Sequence, residues 1–366
     1  MKFVVAPQTL LSGLNIAAAG SASRTPKPAL QGVLLIVQKD EVLLSATDLE
    51  MGVRVRLTQV EVEREGQVLV PVAKLLQIVR ESEDESMVLE VEENTLHIRG
   101  SDSHFSMYTG DPAEFPPVSE LEGDPDFSIT GGTLRLVIDR TLFAAAKEST
   151  RYAIDGLLWS YKGDQLKVVA TDGRRLALAD APIQNSSGGQ AEAIVPAKAM
   201  NLISRVVGDP EELFQVKLLS NQLLLRSPRV TVSSVLLEGH FPKYEDVIPQ
   251  DCDRTVRVSA PAMLSAVRRS ALLTSEESKA IRLHFDDNKL VLTGRAPEQG
   301  QSSVQLPLVY EAESLEIGFN PNFLIDVLKV FDDQEVHLSL KDANRPGLFR
   351  GGDDDFTYVI MPVNLS

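Results

Sequence analysis

Three two-residue turn signals sit between apolar strands along this chain: Lys39-Asp40, Gly163-Asp164 and Asp287-Asn288. They are evenly spaced, since 163 − 39 = 124 and 287 − 163 = 124. Apolar stretches precede them at 33–37, 157–161 and 281–285 and follow them at 42–47, 166–171 and 290–293. A helical pattern keeps the same offset, over 71–80, 196–207 and 320–331, each with a proline at or beside its start, a residue suited to a first helical turn. Within these segments Lys74, Lys198 and Asn322 are again 124 apart. One match at a fixed offset carries little weight; turns, strands and helices in a single register define a repeat.

A second helix is expected to open each copy, over 7–19, 139–150 and 259–274, with Asp139 and Ser259 as N-caps. Phe115-Pro116, Phe241-Pro242 and Met361-Pro362 come near the end of each copy. The 366 residues thus divide into three copies of about 122 (366/3). Turn-rich acidic stretches at 123–126 and 249–253 place the domains at 1–123, 127–250 and 253–366. The expected fold is α+β, three tandem repeats each of two helices packed on antiparallel β-sheets.

Composition narrows the function. With 43% hydrophobic and 24% charged residues the chain is of ordinary globular type. No apolar run reaches the roughly 18–20 residues of a membrane span, and the N-terminus lacks the charged-then-apolar pattern of a secretory leader. A single cysteine, Cys252, excludes a disulfide framework and fits a reducing cytoplasm. A net charge of −16 argues against a surface coated by nucleic acid or anionic lipid, while leaving room for one basic face.

The helix patterns suggest where that face lies. At about 100° per residue, Asn201 and Arg205 fall on the side of Lys198, opposite Ala199, Leu202, Ile203 and Val206. The matching face holds Lys74, Gln77 and Glu81 in the first copy, and Asn322 and Lys329 in the third, where Ile325 interrupts it. The opening helices add Arg140, Lys147, Arg268 and Arg269, and Arg24 lies in a Ser/Pro-rich loop. A lone lysine is usually just a solvated face. Cations recurring on helices of an acidic chain point instead to sequence-blind phosphate contact.

Asp172-Gly173 joins two further apolar strands, with a weaker copy at 46–50. Arg174 and Arg175 at its mouth are placed to meet a phosphate, a carboxylate or a partner's backbone carbonyl. An aspartate-based phosphotransferase centred on Asp172 is the enzymatic alternative, but it needs a second carboxylate, a lysine and Mg²⁺ at set positions. The chain has no phosphate-cradling Gly loop, no Gly-x-Ser-x-Gly and no His-Glu-x-x-His. His97, His104, His240, His284 and His337 are scattered, without ligand spacing. Cys252 between two aspartates is expected to be inert, and 353–355 to be a solvated turn. No catalytic residue, metal or cofactor is expected.

Residues 170–177 (Ala-Thr-Asp-Gly-Arg-Arg-Leu-Ala), 241–249 and 358–365, with Arg24-Thr25-Pro26 and Arg151-Tyr152, resemble in order the motifs of the bacterial DNA polymerase III beta subunit family, the sliding clamps. The likeness runs over the whole chain. Arg174 departs from the usual histidine, and Asp246 and Asn364 replace basic residues, which implies partner peptides of less acidic character. The resemblance implies two chains closing head to tail into a ring on duplex DNA, helices inward. Twelve helices of roughly 10 Å diameter would leave a hole on the order of 28 Å, wide enough for a duplex and a water layer.

The resemblance further implies a DNA-facing set of Arg24, Lys74, Arg140, Lys147, Arg151, Tyr152, Lys198, Arg205, Arg268 and Lys329. It implies a partner-peptide pocket of Ile154, Thr171, Gly173, Arg174, Arg175, Leu176, Pro242, Val247, Val359, Ile360, Met361 and Pro362. Leu/Phe-containing peptides of the DNA polymerase and of clamp-loader subunits would dock there, with micromolar affinity. The homodimer interface it implies joins Lys74, Ile78, Phe105 and Met107 to Leu272, Leu273 and Glu298. A repeat scaffold that displays partner surfaces without DNA is the competing non-enzymatic reading.

Overall fold

The computed structural model describes residues 1–366 except 149–151, 275–279, 333, 352–354 and 366. Two compact units are formed, one from Met1–Arg135 with Ile183–Leu237, the other from Leu136–Pro182 with Glu238–Ser366. The described residues include six α-helices: α1 (Pro7–Gly20), α2 (Val72–Arg80), α3 (Gly131–Thr141), α4 (Ala197–Val206), α5 (Ala260–Ser270) and α6 (Pro321–Val330).

In the first unit, a five-stranded sheet runs in the order Val60–Arg64, Lys2–Val5, Met87–Glu92, Thr95–Arg99, His104–Tyr108. An eight-stranded sheet runs Phe127–Thr130, Leu213–Leu218, Gln222–Arg226, Val230–Val235, Met51–Leu57, Glu41–Thr47, Gly32–Gln38, Gly66–Pro71. Val230–Val235 on Met51–Leu57 joins sequence-distant halves of that sheet, with Val232 opposite Val53. In the second unit the larger sheet includes, in order, Gly156–Lys162, Gln165–Thr171, Arg175–Pro182, Phe356–Ile360, Gly347–Arg350, Glu335–Leu340 and Arg254–Ser259. The smaller is Gly300–Pro307, Lys289–Ala296, Ile281–Asp286, Leu315–Phe319. Among the described residues each of these pairings is antiparallel, which lets short turns connect neighbouring strands.

The three turn signals close three two-residue hairpins, pairing Gln38 with Glu41, Lys162 with Gln165 and Asp286 with Lys289. A tight hairpin turn whose twist matches its strands needs positive φ. Lys39 (42°), Gly163 (60°), Asp287 (47°) and Asn288 (57°) supply it. Helix faces follow the apolar period. α4 buries Ala199, Met200, Leu202, Ile203 and Val206 and exposes Lys198 and Arg205. α2 and α6 likewise bury Val72, Leu75 and Val79, and Pro321, Leu324, Val327 and Leu328. Burying the five side chains of α4 contributes a gross term on the order of 10 kcal/mol before entropy is subtracted.

One helix departs from expectation. The opening helix of the second copy spans Gly131–Thr141 and continues as a 3₁₀ turn over Leu142–Ala144, rather than spanning 139–150. Thr130 Oγ1 accepts from the Thr133 N–H at 3.3 Å, so the start lies at a Thr-Gly-Gly that reads as a turn, because glycine is a poor helix former. Asp139 is therefore near the helix end and not an N-cap. Lys147 follows the helix in a bend.

Candidate functional site

The hairpin mouth at Thr171–Arg175 is held by its own side chains. Thr171 Oγ1 donates to the Arg175 carbonyl at 2.7 Å and accepts from the Gly173 N–H at 3.1 Å. Asp172 Oδ1 accepts from the backbone N–H of Arg174 (2.9 Å) and Arg175 (3.1 Å). Gly173 takes φ 82°, a left-handed conformation natural to glycine, and a Cβ there would meet nothing within 4 Å. Asp172 Oδ2 accepts from Arg175 Nε at 3.0 Å. Both carboxylate oxygens of Asp172 thus serve the turn.

Arg175 is an internal strut. Its side chain is only 10% exposed. Nη1 donates to Asp326 Oδ2 on α6 at 2.7 Å and Nη2 to the Phe143 carbonyl at 2.7 Å, and the guanidinium lies over the Phe323 ring at 4.3 Å. Of the partners expected for this arginine, it meets carboxylates and a backbone carbonyl, all of its own unit. Burial pulls its pKa down, but Asp326 and then the Tyr358 and Asp172 oxygens outweigh that and raise it. Tyr358 lies beside it and donates to the Phe323 carbonyl at 3.1 Å; burial pushes the phenol well above its ordinary range.

Above this network lies an open cavity of about 210 Å³, mainly apolar in lining. Of the residues expected in a partner pocket, Ile154, Thr171, Gly173, Arg174, Arg175, Leu176, Pro242, Val247, Val359 and Met361 line it together. Ile360 does not: its side chain is fully buried, because alternation along the strand turns it away from Val359 and Met361. Pro362 also lies outside the lining. Tyr152, expected to face DNA, lines the cavity, as do Lys243 and Tyr244, whose signal was the 241–249 motif.

The expected DNA-facing cations fall into two groups. Arg24, Lys74, Lys147, Arg205, Arg268 and Lys329 are exposed. Others are engaged within their unit. Arg140 Nη1 bonds Asp355 Oδ2 at 2.6 Å, and its side chain is 14% exposed. Lys198, although exposed, contacts Asp48 and lies 3.7 Å from Glu50. Arg151 lies outside the described residues, as do Asp353 and Asp354.

Residues expected at a homodimer interface lie at the margins of two sheets. Phe105 and Met107 belong to the edge strand His104–Tyr108, with Phe105 exposed, while α2 carries exposed Lys74 and half-buried Ile78. In the other unit, Gly300–Pro307 is an edge strand, Glu298 lies in the turn before it, and Leu272 is 78% exposed beside half-buried Leu273. Edge strands carry unpaired N–H and C=O groups.

His97 and His104, read as scattered, meet across the hairpin with Nδ1 and Nε2 3.0 Å apart. No group of three or more His, Cys, Asp or Glu among the described residues is placed to hold a metal ion. Burial, then Asp251 and Asp253, raise the Cys252 pKa, disfavouring the thiolate. No described helix is long and apolar enough to cross a membrane.

Repeated helix-on-sheet units with an apolar groove beside a rigid hairpin define a docking protein that works through its surfaces. Models of the DNA polymerase III beta subunit match its N-terminal domain at 1–119, its central domain at 128–243 and its C-terminal domain at 245–364. The chain belongs to the DNA polymerase III beta subunit family, and its function is that of a DNA sliding clamp, a non-catalytic processivity factor. The beta sliding clamp of Pseudomonas putida is 34% identical, with both chains covered to 100%, and that of Escherichia coli is 29% identical, also with both covered to 100%. The crystal structure of the Pseudomonas aeruginosa subunit superposes with a TM-score of 0.91 at 33% identity, over 100% of each chain. A structure of the Pseudomonas aeruginosa clamp bound to griselimycin gives 0.94 at 33% identity, again over 100% of each chain.

Proposed function

We propose that two copies of this chain close into a ring on duplex DNA and tether the replicative polymerase and clamp-loader subunits through Leu/Phe-containing peptides. The observation that carries this is the pair of open sheet edges: His104–Tyr108 with exposed Phe105, and Gly300–Pro307 near exposed Leu272. Antiparallel addition of one edge to the other would satisfy both rows of backbone groups and cover those side chains. Three domains at 1–123, 127–250 and 253–366 are the repeat units of the ring, and the cytoplasm is its compartment.

In this reading the exposed cations Arg24, Lys74, Lys147, Arg205, Arg268 and Lys329 make loose phosphate contacts. Lys198 and Arg140 contribute field more than contact, since each already has a carboxylate partner. The groove lined by Ile154, Leu176, Pro242, Val247, Val359 and Met361 takes the apolar side chains of a peptide. Retention on nicked circular duplex, lost when the circle is cut, tests the ring. Equal retention on linear DNA, or none on either, would favour a scaffold that works without encirclement.

A further inference from the structure

The groove-forming hairpin has a structural copy in the first unit. Thr47 Oγ1 donates to the Met51 carbonyl (2.7 Å) and accepts from the Leu49 N–H (3.0 Å). Asp48 Oδ1 accepts from the Glu50 (3.0 Å) and Met51 (2.8 Å) N–H groups. These are the bonds of Thr171–Arg175, shifted by 124 residues (171 − 47). The neighbouring strand repeats as well: Val235 N–H donates to the Glu50 carbonyl at 2.8 Å, as Met361 N–H does to the Arg174 carbonyl at 2.9 Å. A cavity of about 410 Å³ lies here, lined among others by Leu30 and Leu49, the counterparts of Ile154 and Gly173, and by Pro116 of the Phe-Pro pair that matches Phe241-Pro242.

Two features separate this copy from a worn-out duplicate. Leu49 stands at φ 80° where the other hairpin has Gly173 at 82°. A bulky side chain in that conformation is strained, yet Leu49 is 53% exposed and Val235 beside its loop 41%. Neither strain nor exposure is repaid by packing inside the unit. The second feature is charge. Among the described residues, the first groove is lined by Arg174, Arg175 and Lys243 and by no carboxylate, whereas the copy is lined by Lys27 and Glu114. Glu50 holds the position of Arg174, and Asp48 and Glu50 share the single ammonium of Lys198. The rim therefore keeps surplus negative charge.

We propose that this copy is a second peptide-docking site, which takes an extended partner segment with an apolar side chain next to a basic one. The proposal rests on reading the first groove as a docking site. The test uses the full-length protein and two fluorescein-labelled peptides that share Leu and Phe and differ in carrying Lys or Asp beside them, followed by anisotropy. The Lys peptide is expected to keep its affinity in Gly173→Leu, to lose about tenfold in Leu49→Gly, and to lose several-fold in Glu50→Arg, more at low salt. Leu49→Gly relaxes the backbone, so the fold is retained, and a circular-dichroism melt verifies it. No binding of the Lys peptide to the unaltered protein, or binding lost in Gly173→Leu and untouched in Leu49→Gly, overturns the proposal. Failure of the first-groove reading shows separately, as Asp-peptide binding indifferent to Gly173→Leu.

Discussion

Arg175 and Asp326 meet at 2.7 Å, and this single ion pair ties the groove-forming hairpin to α6 across 151 residues of sequence. The arginine is nearly buried and the aspartate a third exposed. Removing one member leaves the other partly desolvated and alone. Arg175→Ala should destabilise the protein by about 2–3 kcal/mol, since the guanidinium also packs on the Phe323 ring. Peptide binding should fall at least tenfold. Asp326→Asn, which keeps the shape, should cost less on both counts. Thermal melts and a peptide titration read this; an Arg175→Ala protein with unchanged affinity would dissociate the strut from the groove.

Gly173 is predicted to tolerate a side chain poorly for two reasons. Its φ of 82° imposes a cost of about 1 kcal/mol on any L-residue. The added atoms would also project into open space at the groove mouth, where nothing within 4 Å could hold them. Gly173→Leu should thus lower Tm by only a few degrees while blocking peptide binding. A normal titration curve would show that the hairpin tip does not border the occupied part of the groove.

Self-association should depend on Leu272. Burial of a leucine side chain contributes roughly 1.5–3 kcal/mol. Leu272→Ala with Leu273→Ala should weaken dimerisation by about two orders of magnitude, shifting sedimentation from dimer to monomer at low concentration. A dimer unaffected by both changes would place the interface elsewhere.

Salt dependence should separate the two groups of cations. Each phosphate neutralised by an exposed cation adds about 0.9 to the slope of log K against log salt. Arg205→Ala or Lys329→Ala should lower that slope, whereas Lys198→Ala should act mostly on stability, because it uncovers Asp48, whose side chain is 5% exposed.

Asp180 gives a pH signature of definite sign. Burial raises its pKa, Lys167 at 3.7 Å opposes this, and Asp355 adds to it. A carboxyl whose folded pKa lies above its unfolded value supports the fold below the unfolded pKa and loses that support as pH rises through the folded one. At pH 7 the charged form is therefore a burden. Asp180→Asn should raise Tm by about a degree or two at pH 7 and leave it unchanged near pH 3.

What could be seen in the sequence was local. Lys39, Gly163 and Asp287-Asn288 announced hairpins because few residue types accept positive φ, and the α4 period announced which face is buried. The 124-residue register would also have put the opening helix at 131, seven plus 124, had it been applied in place of helix propensity at Gly131-Gly132. Pairings between distant residues left no such trace. Nothing in the neighbourhood of Lys198 announces Asp48, 150 residues away, nor does Arg140 announce Asp355. That Tyr152, expected among the DNA-facing residues, also lines the groove could not be read from its motif, which supplies residue order but not the direction of a side chain.

The threonine-aspartate loop has a practical corollary. Its shape is set by two side chains at its base that bond the backbone N–H groups of the tip, so the side chains at the tip, Gly173-Arg174 in one instance and Leu49-Glu50 in the other, carry no share of holding it. Such a loop behaves as a socket: its two-residue tip can be transplanted between the halves of the molecule, and ligand preference should travel with the graft while the surrounding architecture stays put.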